Sequence, residues 1–450
     1  MPYQAGGNLP GENASKLGHM AVIQSPFVND LLQSFYTTKR EQMKEEFLEK
    51  WLPFEKDNEP LRIIFAVDGS LQIVKNEINP DKELAFIKTA LVKLDTPKLE
   101  EIDPLYPHPF ALRDIMKDAG VFHATVLPLQ NVQFKEISFY DGVRKIIFDS
   151  FKDPSSEGQV METLRWLCYE KWDGTPKKSP HFNCPHCDRE SEGLPYDQEI
   201  GNCEHCGGEV YLTDTLSFHL EMQEDLDYAA QSLATSYMQV HETIMLFVGI
   251  RYIWETKDHS LFQKTLFIKD GPLSLRAQYV KLVDPIRRFL EYAKQKKVTI
   301  HLIGQEKSGA FFDHLKYIQR DIPEFHFFLP NFDYIRDEIQ HRPKGQYEYG
   351  EKTNYGNKVF VKLSRGQFLV LNVPTGQYRD TEDENSLIGF RKILGSILKI
   401  LSFRHEGALM PVEIAHNVAS LSNYPSARML KLFSDDRVVV HDSKVIKGYS

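Results

Sequence analysis

The chain reads as an α/β protein built on a mixed sheet flanked by helices, and three observations lead there. Two apolar β-type runs, residues 63–67 and 266–268, run into aspartates, Asp68 and Asp270, each followed at once by a glycine. Asp and Gly both disfavour continuing a strand, so each acid is expected at a strand's C-terminal tip. The second run is followed by a helical stretch over about 275–297 and a further strand over 298–304. That β-α-β unit implies parallel strands joined by a right-handed crossover, and puts Asp270 and Lys307 at the same edge of the sheet.

The elements follow in chain order. Residues 1–18 are polar and rich in Gly and Pro, a loose arm, and 27–51 carry helical periodicity with many charges. From Leu61 the pattern changes to short apolar runs. Residues 63–67, 71–74 and 84–94 read as three strands of a meander, with Asp68-Gly69-Ser70 as a turn inside it. A meander that opens on an acid-bearing strand is how an RNase H-like sheet begins. Pro104, Pro107 and Pro109 mark an irregular segment, and 139–151 and 159–172 read as helices. Residues 174–209 hold Cys, Pro, Gly and charge with almost no aliphatic core, so something other than apolar burial must hold that insertion. A long helical stretch, possible to break once, covers 213–254. After the β-α-β unit, 358–363 and 367–373 form a hairpin around Arg365-Gly366, and 386–403, 412–420 and 427–433 read as closing helices.

Composition bounds the class. With 450 residues and 42% hydrophobic content the chain can bury a large core. No apolar run approaches a membrane span and no secretory signal pattern opens the chain, so cytoplasm is the default location. Five cysteines, four of them in Cys-x-x-Cys pairs, point to a reducing compartment and a metal rather than disulfides. A net charge of −9 argues against a protein that coats nucleic acid, though a carboxylate metal site adds negative charge of its own. The basic run Arg287, Arg288, Lys294, Lys296 and Lys297 reads as the solvated face of a helix.

Cys184-Pro185-His186-Cys187 and Cys203-Glu204-His205-Cys206, fifteen residues apart, have the spacing of a four-cysteine zinc ribbon. Cys184, Cys187, Cys203 and Cys206 would close the Zn²⁺ coordination shell, which makes the zinc structural. His186 and His205 are surplus, and Cys168 is expected as a buried core thiol. A zinc deaminase is excluded, because His219-Leu220-Glu221 lies downstream of the cysteines and Asn183 stands before Cys184.

Asp68 and Asp270 need a third carboxylate to hold hard divalent metal. Glu221, Glu224, Glu242 and Glu255 are available on the long helix. A helix from 242 to 254 is about 18 Å long, and an antiparallel return strand over 264–270 spans roughly 20 Å. The start of the helix is then level with the end of the strand, which selects Glu242 and leaves Glu255 at the far edge. Carboxylates without cysteine suit Mg²⁺ or Mn²⁺. Lys307 is placed to pair with a phosphate as a point charge. Gly304-Gln305-Glu306-Lys307-Ser308 lacks the spacing of a phosphate-binding P-loop, so the chain has no ATPase site. His416, on a closing helix eleven residues after His405, is a candidate for orienting water or contacting phosphate.

Four segments together resemble the NurA nuclease family: Val67-Asp68-Gly69-Ser70, Lys269-Asp270-Gly271-Pro272-Leu273, Gly304-Gln305-Glu306-Lys307-Ser308-Gly309 and Met410-Pro411-Val412-Glu413-Ile414-Ala415-His416. The resemblance implies an RNase H-like fold and a metal-dependent 5′-to-3′ DNA exonuclease with single-strand endonuclease activity. It also implies a dimer docked on a HerA-type hexameric DNA translocase. It points again to a Glu on the helix before the Asp-Gly-Pro-Leu strand and favours His416. A tyrosine that the family places near this region is not carried over, because Ala408, Leu409 and Met410 occupy the approach.

The organisation expected is an N-terminal arm over 1–58, a nuclease core over 59–180 and 213–450, and the zinc ribbon inserted at 181–212. The activity expected is two-metal hydrolysis of DNA phosphodiesters, with Asp68, Glu242 and Asp270 on the metals and Lys307 and His416 beside them. End resection or defence against foreign DNA is the expected setting. The contrasting reading is a catalytically silent adaptor that docks on the motor through its ribbon. A site-specific DNA reader is disfavoured by the single ribbon and the absence of a basic stripe.

Overall fold

The computed structural model describes residues 20, 22–35, 45–55, 59–76, 82–101, 120–222, 226–345, 347–364, 366–402, 404, 406–421 and 426–438. The 1–18 arm, Pro104, Pro107, Pro109, Glu224, Arg365 and His405 lie outside them. The chain falls into two units, Met1–Leu48 and Glu49–Ser450, dividing ten residues before the boundary expected at 58. In the first, helix α1 (Pro26–Ser34) opens on Ser25, whose Oγ accepts from the Val28 amide, with Pro26 at the first helical position.

The second unit is organised by a nine-stranded mixed sheet. Its strands are β1 (Leu52–Pro53), β2 (Ile63–Asn76), β3 (Lys82–Asp95), β4 (Gly120–Gln130), β9 (Thr265–Asp270), β10 (His301–Glu306), β11 (His326–Phe328), β12 (Asn357–Ser364) and β13 (Gln367–Val373). Their order across the sheet is β1-β11-β12-β13-β10-β9-β2-β3-β4. The remaining strands, β5 (Phe182–Asn183) with β6 (Glu190–Ser191) and β7 (Ile200–Asn202) with β8 (Glu209–Tyr211), form two small hairpins in the insertion. The meander β2-β3-β4 is antiparallel, while β2, β9 and β10 run parallel. An antiparallel meander continued by parallel strands on the side of its first member is the RNase H-like arrangement.

The expected turn at Asp68-Gly69-Ser70 is not a turn. β2 continues through it for 14 residues, paired without a break from Ile63↔Asp95 to Asn76↔Lys82. The long ladder with β3 overrides the local preference of Asp-Gly, and the meander's third strand is β4. Within β4, Pro128 lies beside a register shift opposite Glu83 and Leu84. A proline is tolerated there because β4 is the sheet's edge.

Alternation along the strands divides the core between the two faces of the sheet. Val67, Phe267 and Leu302 pack with helices α2 (Phe139–Phe151), α3 (Gln159–Cys168), α4 (Leu226–Glu255) and α5 (Val283–Gln295). Ala66, Leu266, Ile268 and Ile303 pack with α7 (Phe390–Ile397) and α8 (Met410–Ala419). Helix α6 (Ala310–Ile318) follows β10, and α9 (Ser426–Arg437) is the last helix among the described residues. β9 is covered on both faces, the burial expected of a central parallel strand. No helix among the described residues is long and apolar enough to cross a membrane.

Two local devices set the edge where the acids lie. After Asp270 the chain turns back over β10, and the Gly271 amide donates to the Gln305 carbonyl at 2.7 Å. A Cβ on Gly304 would meet the Gly271 carbonyl oxygen at 2.6 Å and the Leu273 nitrogen at 2.9 Å, so that close approach requires glycine. The buried Gln305 side chain then fixes the approach to α8: its amide donates to the Gly407 carbonyl and its oxygen accepts from the Leu409 amide. Gly304→Ala should therefore cost about 1–3 kcal/mol in denaturant unfolding, since backbone atoms cannot rotate out of the way. Unchanged stability would mean that the turn is not held as described.

Candidate metal centre

Asp68 and Asp270 come together through register. The parallel pairing of β2 with β9 ends at Val67↔Lys269, so the next residue on each strand is an aspartate. Asp68 thus lies inside a strand, level with the tip of its neighbour, while Asp270 is the strand-tip acid expected. Asp68 is buried, and its Oδ1 accepts from the Gly69 amide at 2.7 Å. Glu242 reaches the same edge from α4. A Cβ on Gly69 would lie 2.5 Å from Glu242 Oε1 and 2.7 Å from the Met238 side chain. Gly69 therefore stands after Asp68 to admit the glutamate, not to form a turn.

Each carboxylate is met by a basic side chain. Asp68 Oδ2 is 2.7 Å from His416 Nδ1, Glu242 Oε2 is 3.0 Å from Lys269 Nζ, and Asp270 Oδ2 accepts from Lys307 Nζ at 2.8 Å. Burial pushes the Glu242 carboxyl up to about 7 against the pull of Lys269, and the negative charges of Asp68 and Asp270 add to the rise. Asp270 is raised by burial and then by Asp68, with Lys307 opposing. Burial pulls Lys269 down, but the Glu242 carboxylate leads the opposing pull and leaves the lysine raised. The hydrogen bond to Asp68 raises His416. Oxygen donors that converge on one edge against burial and mutual repulsion form a set that a hard divalent cation would relieve.

All five residues expected at the centre lie at this edge. Lys269 was not anticipated, although a lysine inside the otherwise apolar run Leu266-Phe267-Ile268-Lys269 was a signal for it. The rejected glutamates are engaged elsewhere or outside the described residues: Glu221 accepts from Ser236, and Glu255 pairs with Arg251 one turn back on α4. Glu306 is taken by Lys358 and Asn372. In the basic helix, Arg287 donates to the Asn354 and Gly350 carbonyls, Arg288 pairs with Glu170, and Lys294 donates to the Thr375 and Ser386 carbonyls. Those three serve packing.

The insertion supplies a second, separate group. Among the described residues, Cys184, Cys187, Cys203 and Cys206 are the one set of three or more potential ligands whose atoms all lie within 4.8 Å of one another. Cys184–Cys206 and Cys187–Cys203 sulfurs are 3.8 Å apart. Zinc–sulfur bonds of about 2.3 Å in a regular tetrahedron put the sulfurs about 3.8 Å apart, so the set fits zinc as it stands. The two hairpins present the knuckles, and the His186 and His205 amides point at Cys184 and Cys203 Sγ, each at 3.4 Å. Both imidazoles face backbone carbonyls instead, His186 that of Glu209 and His205 that of Glu190. The ribbon is tied to α2 by the buried Arg144–Asp214 pair, by Arg144 to the Glu209 carbonyl and by Tyr140 to the Pro185 carbonyl. Cys168 is buried beside Thr215, and burial pushes its thiol up to about 12, as a core cysteine requires. Purified protein should carry about one zinc per chain, and Cys184→Ser should release it and loosen the insertion to proteolysis. Retention of zinc by that variant would show that fewer than four thiolates hold the ion.

No family model matches the chain, and no curated protein does. Among solved structures the chain is similar to one described as a crystal structure of NurA with manganese, at 11% sequence identity. The match covers 94% of this chain and 98% of that one, with a TM-score of 0.24.

Proposed function

We propose that this chain is a metal-dependent nuclease of the NurA type that hydrolyses DNA phosphodiester bonds. The observation that carries the reading is the β2–β9 register, which sets Asp68 beside Asp270 with Glu242 arriving over Gly69. These three would hold Mn²⁺ or Mg²⁺. Bound there, the metal supplies activation of a water and stabilisation of the leaving oxygen. Lys307, whose side chain is 30% exposed, reaches out to bind a phosphate oxygen beside the scissile bond. His416 is held through Nδ1 by Asp68, so its second ring nitrogen is the one that orients the attacking water. Lys307 thus holds Asp270 when substrate is absent and turns to phosphate when it arrives.

The finer assignments rest on the four sequence segments that resemble the NurA family. They support 5′-to-3′ exonuclease with single-strand endonuclease activity, a dimer, and a HerA-type hexameric ATPase as partner in DNA end processing or anti-phage defence in the cytoplasm. A motor partner also suits a chain with no phosphate-binding loop. The ribbon is separate from the carboxylates and keeps no coordination position for water, so its zinc is structural.

Asp270→Asn preserves the shape of the strand tip and removes one ligand charge. It should fold, keep its zinc, and lose manganese-dependent cleavage of single- and double-stranded DNA by at least about a hundredfold, the scale of several kcal/mol of lost transition-state stabilisation. Asp68→Asn should behave likewise, and Glu255→Gln should cleave as the unmodified protein does. Wild-type rates in Asp270→Asn would sink the assignment, and a well-folded protein that never cleaves DNA would leave the silent adaptor standing.

A further inference from the structure

The edge of the sheet opposite the carboxylates holds a cavity of about 590 Å³. β9 runs from Thr265 to Asp270, so its start lies roughly 20 Å from the metal edge. β2 and β9 begin level with one another, Ile63 opposite Thr265, and the residues just before them are Arg62 and Lys264. The Arg62 amide donates to the Lys264 carbonyl at 2.9 Å, which keeps the two side by side. Buried Thr96, at the end of β3, fixes this floor: its amide donates to the Arg62 carbonyl and its hydroxyl to that of Leu61, each at 2.8 Å. Helix α7 supplies Lys392 to the same cavity, and Lys399 follows just past the helix end.

Four cations thus line one cavity in a chain whose net charge is −9. Glu59 is the one acid among the described residues that line it, so four positive charges against one negative leave +3. Lys392 donates to the Glu59 backbone carbonyl, a neutral acceptor that leaves its charge in place. Arg62 and Lys264 are exposed and form no ion pair among the described residues. Arg391, by contrast, is taken up by Glu384 and the Pro53 carbonyl. No aromatic ring lines the cavity among the described residues, so what it offers a ligand is charge rather than stacking. Its volume is that of a small-molecule site. A guanidinium presents paired N–H donors to phosphate oxygens, and lysines add point charges.

We propose that this cavity binds a ligand with two or more neighbouring phosphate groups, at a site separate from the carboxylate centre. The phosphates come either from a free polyphosphate, as in the tail of a nucleoside triphosphate, or from a nucleic-acid strand. The site stands apart from the nuclease reading, since it uses none of Asp68, Glu242, Asp270, Lys307 and His416.

The test is calorimetric titration of inorganic tripolyphosphate into the zinc-loaded full chain, with no other divalent ion added. The unmodified protein should bind one per chain, with an affinity that falls as salt rises. A double variant, Arg62→Gln with Lys264→Gln, changes two exposed side chains and should bind at least about tenfold more weakly. Lys307→Gln, at the other edge, should bind as the unmodified protein does. Absence of binding by the unmodified protein overturns the proposal whatever the variants do. Equal affinity in the folded double variant, or loss of binding in Lys307→Gln, overturns it too. Displacement of the tripolyphosphate by an oligo-dT strand would uphold the cavity with nucleic acid as the source, and its failure to displace would uphold it with a free polyphosphate.

Discussion

Three carboxylates cannot share a half-buried sheet edge unless positive charge is placed among them. Two like charges about 4 Å apart repel by about 4 kcal/mol at an effective dielectric constant of ~20, a large fraction of a domain's net stability. The fold meets that constraint with one basic side chain for each acid, drawn from three elements: Lys269 from β9, Lys307 just after β10 and His416 from α8. Much of the surrounding architecture serves this arrangement. Gly304 lets the Asp270 turn close over β10, Gln305 ties the segment leading into α8, and Gly69 makes room for Glu242.

The four-cysteine insertion answers a different need. Its two hairpins have strands of only two or three residues, too little to fold on apolar burial. Four cysteines placed to hold a zinc ion would supply the missing cohesion. Arg144, itself buried, joins the ribbon to the core by a bidentate bond to Asp214 and a third bond to a ribbon carbonyl. Such a pair is specific in direction and spacing, which suits it to orienting a small module rather than to adding stability.

Much of this was legible in the residues. β9 and the β-α-β unit could be read because a buried parallel strand is an apolar run that ends abruptly at Asp-Gly-Pro. The ribbon could be read because metal ligation has a fixed spacing. Glu242 followed from comparing the rise of a helix with that of a strand. What misled was local: Asp-Gly is a turn signal only when no long partner strand competes, and β3 supplies one for 14 residues. β4 escaped notice because it carries His123 and Pro128 amid apolar residues on both faces, the mixed pattern of an edge strand. Lys269 was passed over because a lysine next to an expected metal ligand reads as surface charge. Only the packing of α4 shows that it is buried beneath the acids.

The hydrogen bond between Asp68 and His416 joins residues 348 positions apart. At roughly 5–20 residues per second of synthesis, tens of seconds separate the appearance of one from that of the other. The segments of β2 and β9 are thus synthesised well before the imidazole, so the contact can close only after α8 has been made. A chain that stalls or is cut before α8 has all three acids but lacks the imidazole that meets Asp68.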